Sequence, residues 1–150
     1  MESQIDLRSK LKDLFDKQRI GVLSTQKRNR PYASLVAFAV TDDIKSFIFA
    51  TPRATRKYSN IMASSRAALL IDNRSNRMSD FRRAMAVTAV GTVSELRKSG
   101  KNRLIQLYKE KHSHLEGFVK SPTCAVLCLD AETLHVVDHF QHVVELHLNK

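Results

Sequence analysis

Residues 85–96, Met-Ala-Val-Thr-Ala-Val-Gly-Thr-Val-Ser-Glu-Leu, constrain the fold more tightly than any other stretch, because they read as one long strand broken by Gly91. β-branched residues favour a pleated, half-buried strand, and a single glycine inside such a run marks a bulge or a sharp bend. Bent strands are how small sheets turn corners and close. The rest of the chain agrees with this. Further strands are expected at 20–25, 32–41, 46–50, 67–72, 123–130 and 133–148, the last two joined by a tight turn at Ala131-Glu132. Helical spacing appears at 3–18 (Leu7, Leu11, Leu14, Phe15), at 56–64 (Tyr58, Ile61, Met62) and at 99–112 (Leu104, Leu107, Tyr108), predicting three amphipathic helices. The expected fold is mainly β with peripheral helices (α+β), a six- to seven-stranded antiparallel barrel. Neither GxGxxG nor GxxxxGK[ST] occurs, which excludes the common dinucleotide and nucleotide loops.

At 150 residues and 43% hydrophobic content the chain is expected to form one domain, 1–150. No apolar run approaches the roughly 18 residues of a membrane span, and residues 1–8 lack the apolar centre of a secretory signal. A soluble, cytoplasmic protein with no membrane partner is therefore expected. Lys and Arg number 25 against 15 acids, a formal +10, which favours anionic ligands. The cations are scattered, without a continuous basic helix or aromatic–basic interleaving, and that argues against a nucleic-acid module. The two cysteines, Cys124 and Cys128, lie on one face of an expected strand, about 13 Å apart at ~3.3 Å per residue, too far for a disulfide. They read as reduced, buried apolar groups.

The densest chemistry lies in Phe49-Ala50-Thr51-Pro52-Arg53-Ala54-Thr55-Arg56-Lys57, where a strand hands over to a helix. Pro52 ends the strand ladder and Thr55 suits a helix N-cap. Arg56 and Lys57 then fall in the first helical turn, where the helix dipole already presents positive charge and exposed cations cost roughly 0.3–1 kcal/mol each. A bound phosphate reverses that sign by accepting from free amides, the Thr51 and Thr55 hydroxyls, the Arg56 guanidinium and the Lys57 ammonium. A solvated basic turn is the alternative.

In order and spacing, several segments resemble the flavin mononucleotide (FMN) binding split barrels related to pyridoxamine 5′-phosphate oxidase. They are Gly21-Val22-Leu23-Ser24-Thr25, Arg30-Pro31-Tyr32-Ala33-Ser34-Leu35-Val36, Phe49-Ala50-Thr51 with Thr55-Arg56-Lys57 and Asn60-Ile61, Arg66-Ala67-Ala68-Leu69-Leu70-Ile71-Asp72, and the Gly91 strand. The resemblance implies an antiparallel split β-barrel and an FMN cofactor. It implies a phosphate site at Ala50, Thr51, Thr55, Arg56 and Lys57, and a flavin ring along Ser34, Leu35, Val36 and Ala37. It also implies a homodimer with flavin at the subunit interface and a flavin-dependent oxidoreductase whose substrate and catalytic residues are unknown. Oxidation of pyridoxamine phosphate itself is not implied. The charged residues that the oxidase carries in its ring-binding strand align with Ser34 and Ala39, its flavin-contacting Gln aligns near Ala86, and its C-terminal Arg-x-His motif has no counterpart here.

Two other readings stay open. Some split barrels bind haem, and His135, His139, His142 and His147 offer axial ligands, although strand periodicity does not gather them for one metal and no metal site is expected. A basic nucleic-acid-binding module rests on net charge alone. His112 and His114 close an expected helix, where protonated imidazole complements the dipole. Arg74, Arg77 and Asp80 lie in a long polar loop, 73–83, whose default role is solvation.

Overall fold

The computed structural model describes residues 3–139 and 141–148; Met1 and Glu2 of the segment 1–8, Phe140 within the expected strand 133–148, and Asn149 and Lys150 lie outside them. Among the described residues, seven strands and five α-helices follow in the order α1 (Gln4–Lys17), β1 (Ile20–Lys27), β2 (Arg30–Val40), β3 (Ser46–Pro52), α2 (Arg56–Ala63), β4 (Arg66–Asp72), α3 (Asp80–Arg83), β5 (Ala86–Glu95), α4 (Arg103–Lys111), α5 (Glu116–Lys120), β6 (Cys124–Asp138) and β7 (His142–His147). All pairings are antiparallel, in the order β3-β2-β1-β4-β5-β6-β7. A further ladder from β3 to β6, Ser46 opposite Asp130 through Pro52 opposite Cys124, closes six strands into a barrel and leaves β7 as an added edge. The expected fold class is thus what the chain adopts. No described helix is long and apolar enough to cross a membrane.

Alternation along the strands separates two cores. Val36, Phe38 and Val40 of β2, Phe47 and Phe49 of β3, and Leu23, Leu69, Ala89 and Leu134 fill the barrel. Helix α1 plugs it with Leu7, Leu11, Leu14 and Phe15, and the Phe15 ring meets Phe47 edge-on at 5.1 Å. The alternate residues Ala39, Ile48, Ala50, Cys124 and Val126 lie under α4 and α5 with Ile105, Tyr108 and Val119. Both cysteines are free and buried, as their strand spacing requires.

The barrel opens on one side. β2 pairs with β3 only over Phe38–Val40 opposite Phe47–Phe49, and the rest of β2 pairs with β1. Past Phe49, β3 bonds to β6 alone, and α2 packs across the gap against β1, β2 and β3. That gap sets the position of the candidate site.

Gly91 bends the barrel as its sequence context predicts, but the extra residue sits on its partner. The β5–β6 register shifts there, with Val90 opposite Thr133 and Gly91 opposite Ala131, so Glu132 bulges out of β6. A Cβ on Gly91 would lie 1.9 Å from the Asp130 carbonyl oxygen, so only glycine admits this approach. The expected turn at Ala131-Glu132 is therefore a bulge within one continuous strand, Cys124–Asp138. Ala and Glu have no preference for the left-handed backbone a tight reversal needs. The chain reverses instead around His139 and Gln141, with φ of 45° and 69°. Two other expectations shift. The helix expected at 99–112 begins only at Arg103, because Gly100 (φ 74°) turns the chain and Asn102 caps the helix through its side chain. The polar loop 73–83 contains α3, and the Asp80 carboxylate gathers the amides of Ser75, Asn76 and Arg77.

Candidate anion site at the split of the barrel

Helix α2 begins where β3 leaves its ladder. Thr55 has extended backbone (φ −128°, ψ 158°), and its Oγ1 accepts from the Tyr58 amide at 3.3 Å, the N-cap its sequence position predicts. Thr51, buried to 1% exposure, places its Oγ1 3.0 Å from that of Thr55, and Thr55 donates to the Pro52 carbonyl at 2.9 Å. The two hydroxyl protons are therefore committed within the cap. The donors left for an anion are the Arg56 and Lys57 amides, which lie ahead of the helical ladder, and the two side-chain cations. Neither cation forms an ion pair among the described residues.

Arg53 behaves differently. Its guanidinium donates to Glu95 at 2.6 Å and to the Tyr58 hydroxyl at 2.9 Å, and Tyr58 donates to the other Glu95 oxygen at 2.7 Å. Burial opposes ionisation of Glu95, but the bonds from Tyr58 and Arg53 prevail and lower its pKa. This network ties α2 to the end of β5 and takes Arg53 out of the free cation set.

The β1–β2 hairpin supplies the opposite wall. Its turn residues Arg28 and Asn29 both have left-handed backbone, φ 54° and 62°, as two-residue hairpins demand. Asparagine accepts that conformation readily, whereas arginine pays roughly 1 kcal/mol for it. Three polar contacts fasten β1 to α2: Asn60 Nδ2 donates to buried Thr25 Oγ1 at 3.0 Å, Gln26 Nε2 to Ser64 Oγ at 2.6 Å, and Lys27 Nζ to Ser59 Oγ at 3.1 Å. Between hairpin and helix lies an open cleft of about 490 Å³ lined by Lys27, Arg28, Arg30, Pro31, Tyr32, Arg56, Ser59 and Asn60, with no carboxylate. The Arg56 guanidinium stacks over the Tyr32 ring at 5.5 Å.

The nine residues singled out from the sequence do not share one surface. Thr51, Thr55, Arg56 and Lys57 gather at the start of α2, and Arg56 alone of the nine lines the cleft. Ala50 points the other way, into the core beneath α4. Along β2, Ser34 and Val36 take the barrel side, while Leu35 and Ala37 take the outer face, opposite Val22 and Ile20. Ser34 Oγ is buried and has no hydrogen-bond partner among the described residues. Lys27, Arg28, Arg30 and Tyr32 were absent from the sequence-derived set. Their signal was the basic run 27–30 flanking a turn, which reads as solvated surface until α2 is brought against it.

The histidines disperse. His135 faces Glu145, His142 Nδ1 lies 2.6 Å from Asp138, His139 sits in the reversal and His147 faces Glu145. No group of three or more His, Cys, Asp or Glu among the described residues is arranged to hold a metal. His112 corrects its expectation. It is 2% exposed, and its Nε2–H donates to the Phe38 carbonyl at 2.7 Å. Burial lowers its pKa and outweighs that hydrogen bond, with Lys111, His114 and Arg19 adding like charge, so it is not a protonated helix cap.

The sequence profile of the pyridoxamine 5′-phosphate oxidase family matches residues 7–138. No curated protein matches the sequence. Among solved structures, a haem-binding protein from Mycobacterium smegmatis superposes with a TM-score of 0.82 at 13% identity, over 94% of this chain and 57% of its own. An FAD-binding protein from Mesorhizobium loti gives 0.68 at 15% identity over 85% and 90%. A putative pyridoxamine 5′-phosphate oxidase from Listeria innocua gives 0.67 at 13% over 88% and 98%. These identities speak for the fold alone, and the chain spans little more than half the length of the mycobacterial protein.

Proposed function

The chain belongs to the pyridoxamine 5′-phosphate oxidase family, and from that premise we propose that it binds FMN and serves as a flavin-dependent oxidoreductase acting on a substrate other than pyridoxamine phosphate. The observation that carries the reading is an uncompensated positive site. Arg56 and Lys57 stand at a capped helix N-terminus without acidic partners among the described residues, while neighbouring Arg53 and Arg66 are paired with Glu95 and Glu132. A phosphate there meets the helix dipole, two amides and two cations together. Ser34 Oγ adds a second point of fit, since a polar ligand atom reaching β2 would remove an unsatisfied buried hydroxyl that costs about 1–3 kcal/mol.

In this reading Arg56, Lys57 and the α2 amides hold the phosphate, Thr55 and Thr51 fix the helix start, and β2 from Ser34 to Ala37 orients the ring. Bound flavin supplies hydride or single-electron chemistry, and the chain's residues supply position and charge. Pyridoxamine phosphate is disfavoured as substrate because Ala39 is buried beneath α4, where no charged group reaches a ligand.

The reading includes a second copy of the chain. The outer face of the barrel presents Leu35 (67% exposed), Ile20 (56%) and Val143 (63%), and the register aligns Leu35, Val22, Leu70 and Thr88 in one row across four strands. A symmetric dimer would bury that face and bring two clefts together.

Haem is the second reading. It is supported by the mycobacterial relative and by an apolar hollow of about 310 Å³ where exposed His114 stands beside Ile20, Leu35, Ala37 and Leu115. One absorption spectrum of the protein as purified separates the two. The flavin reading expects flavin bands or, for colourless protein, saturable FMN binding, with affinity reduced at least about 100-fold in Arg56→Ala/Lys57→Ala, given roughly 1.5–3 kcal/mol for each charge-assisted contact. A Soret band with no affinity for FMN sinks it.

A further inference from the structure

The β1–β2 hairpin brings three cations to the cleft that a single flavin phosphate does not use. Lys27, Arg28 and Arg30 line one wall and Arg56 the other, with no carboxylate between them. None of the three hairpin cations forms an ion pair among the described residues, and Lys27 is held by Ser59 Oγ at 3.1 Å. One phosphate dianion is already balanced by Arg56 and Lys57, so a mononucleotide leaves the hairpin wall positively charged.

The wall is also fixed rather than loose. Gln26–Ser64, Lys27–Ser59 and Asn60–Thr25 bind the hairpin to α2, and the Asn29 amide donates to Gln26 Oε1 at 3.3 Å. Arg28 occupies a left-handed turn position that Asn or Gly would fill with less strain, so the turn does not explain the choice of arginine. The cleft, about 490 Å³, is lined by all three hairpin cations together with Arg56 of α2.

We propose that Lys27, Arg28 and Arg30 form a second phosphate subsite beside the flavin phosphate, with Arg56 shared between the two. The subsite rests on the flavin reading and extends it to recognition of a second phosphate group. Its occupant is a phosphate group from one of two sources: the second phosphate of a flavin dinucleotide, or the phosphate of a separate phosphorylated reactant arriving at the FMN-loaded protein. The recognition chemistry is the same in both, guanidinium forks on phosphate oxygens.

The test uses Arg28→Asn/Arg30→Gln, in which asparagine suits the turn and both residues are exposed, so folding is preserved. Inorganic pyrophosphate is titrated into apo and FMN-loaded protein by calorimetry, and FMN and FAD affinities are compared by fluorescence quenching. The expected result is saturable pyrophosphate binding, weakened about tenfold or more by the double variant, while FMN affinity changes less than about threefold. FAD binding about tenfold tighter than FMN, with the advantage lost in the variant, assigns the phosphate to the cofactor. Equal FAD and FMN affinities with pyrophosphate bound to FMN-loaded protein assign it to a separate reactant. Absence of pyrophosphate binding together with no preference for FAD overturns the subsite, and so does a variant that behaves as wild type. A short RNA that binds more tightly than pyrophosphate and is equally sensitive to the variant overturns it as well. If FMN does not bind but pyrophosphate still binds in a variant-sensitive way, the flavin reading falls and the subsite stands.

Discussion

His112 shows how one buried imidazole ties stability to pH. Its Nε2–H satisfies the Phe38 carbonyl, and burial, with the nearby cations Lys111, His114 and Arg19, holds its pKa below the ordinary 6.5. The unfolded chain therefore takes up the proton first as pH falls. Stability from this group is fully present above about pH 6.5 and is lost as pH drops through that value toward the lowered folded pKa, by at most about 1.4 kcal/mol per pH unit. His112→Gln keeps a donor for Phe38 but does not titrate, so its urea midpoint is expected to fall less than that of the wild type between pH 7 and pH 5. Parallel pH profiles of the two would refute the assignment. The sequence reading placed this histidine at a helix end, which is right for the backbone. It missed that the same residue packs against β2, since a contact 74 residues distant leaves no local signal.

Helix α2 and the β1–β2 hairpin act as a unit because polar side chains join them. The contact between Asn60 and Thr25 is buried at both ends, at 5% and 3% exposure. Asn60→Ala is expected to destabilise the protein by about 1–3 kcal/mol, since it strands the Thr25 hydroxyl. Combining it with Thr25→Val should recover part of that loss, and a double-mutant cycle from denaturant unfolding measures the coupling. Additive losses would mean the pair is not coupled. At this scale most of the architecture was legible. The N-cap at Thr55, the bend at Gly91, the helix around Ile61 and five of the seven strands, β1 to β5, are local features of composition and period. The continuous β6 was not legible, because Ala131-Glu132 looks like punctuation only when its partner strand is unseen. The hairpin wall of the cleft was hidden for the same reason, as Lys27, Arg28 and Arg30 are distinguished from other surface cations by what α2 places opposite them.

For the molecule as a whole, the outer barrel face is the feature a single chain does not explain. The proposed dimer predicts a mass twice 17.1 kDa by analytical ultracentrifugation, and Leu35→Asp is expected to shift it to the monomer. Leu35 is mostly exposed in the single chain, so that substitution should leave the monomer's own thermal stability within about 0.5 kcal/mol. A wild type that sediments as a monomer at micromolar concentration would remove the second copy from the site.

Strand β6 bonds to β3 along its first half, to β7 along its second and to β5 from Leu127 to Val137, and its bulge at Glu132 lies where the first partner gives way to the second. Among the described residues it comes after both β3 and β5. During synthesis, everything up to Leu115 can emerge from the ribosome with β3 and β5 both presenting unpaired edges, and no barrel can close until residues 124–138 follow. The closing strand thus follows both strands it joins, and the interval before β6 emerges is when two bare edges stand open to wrong partners.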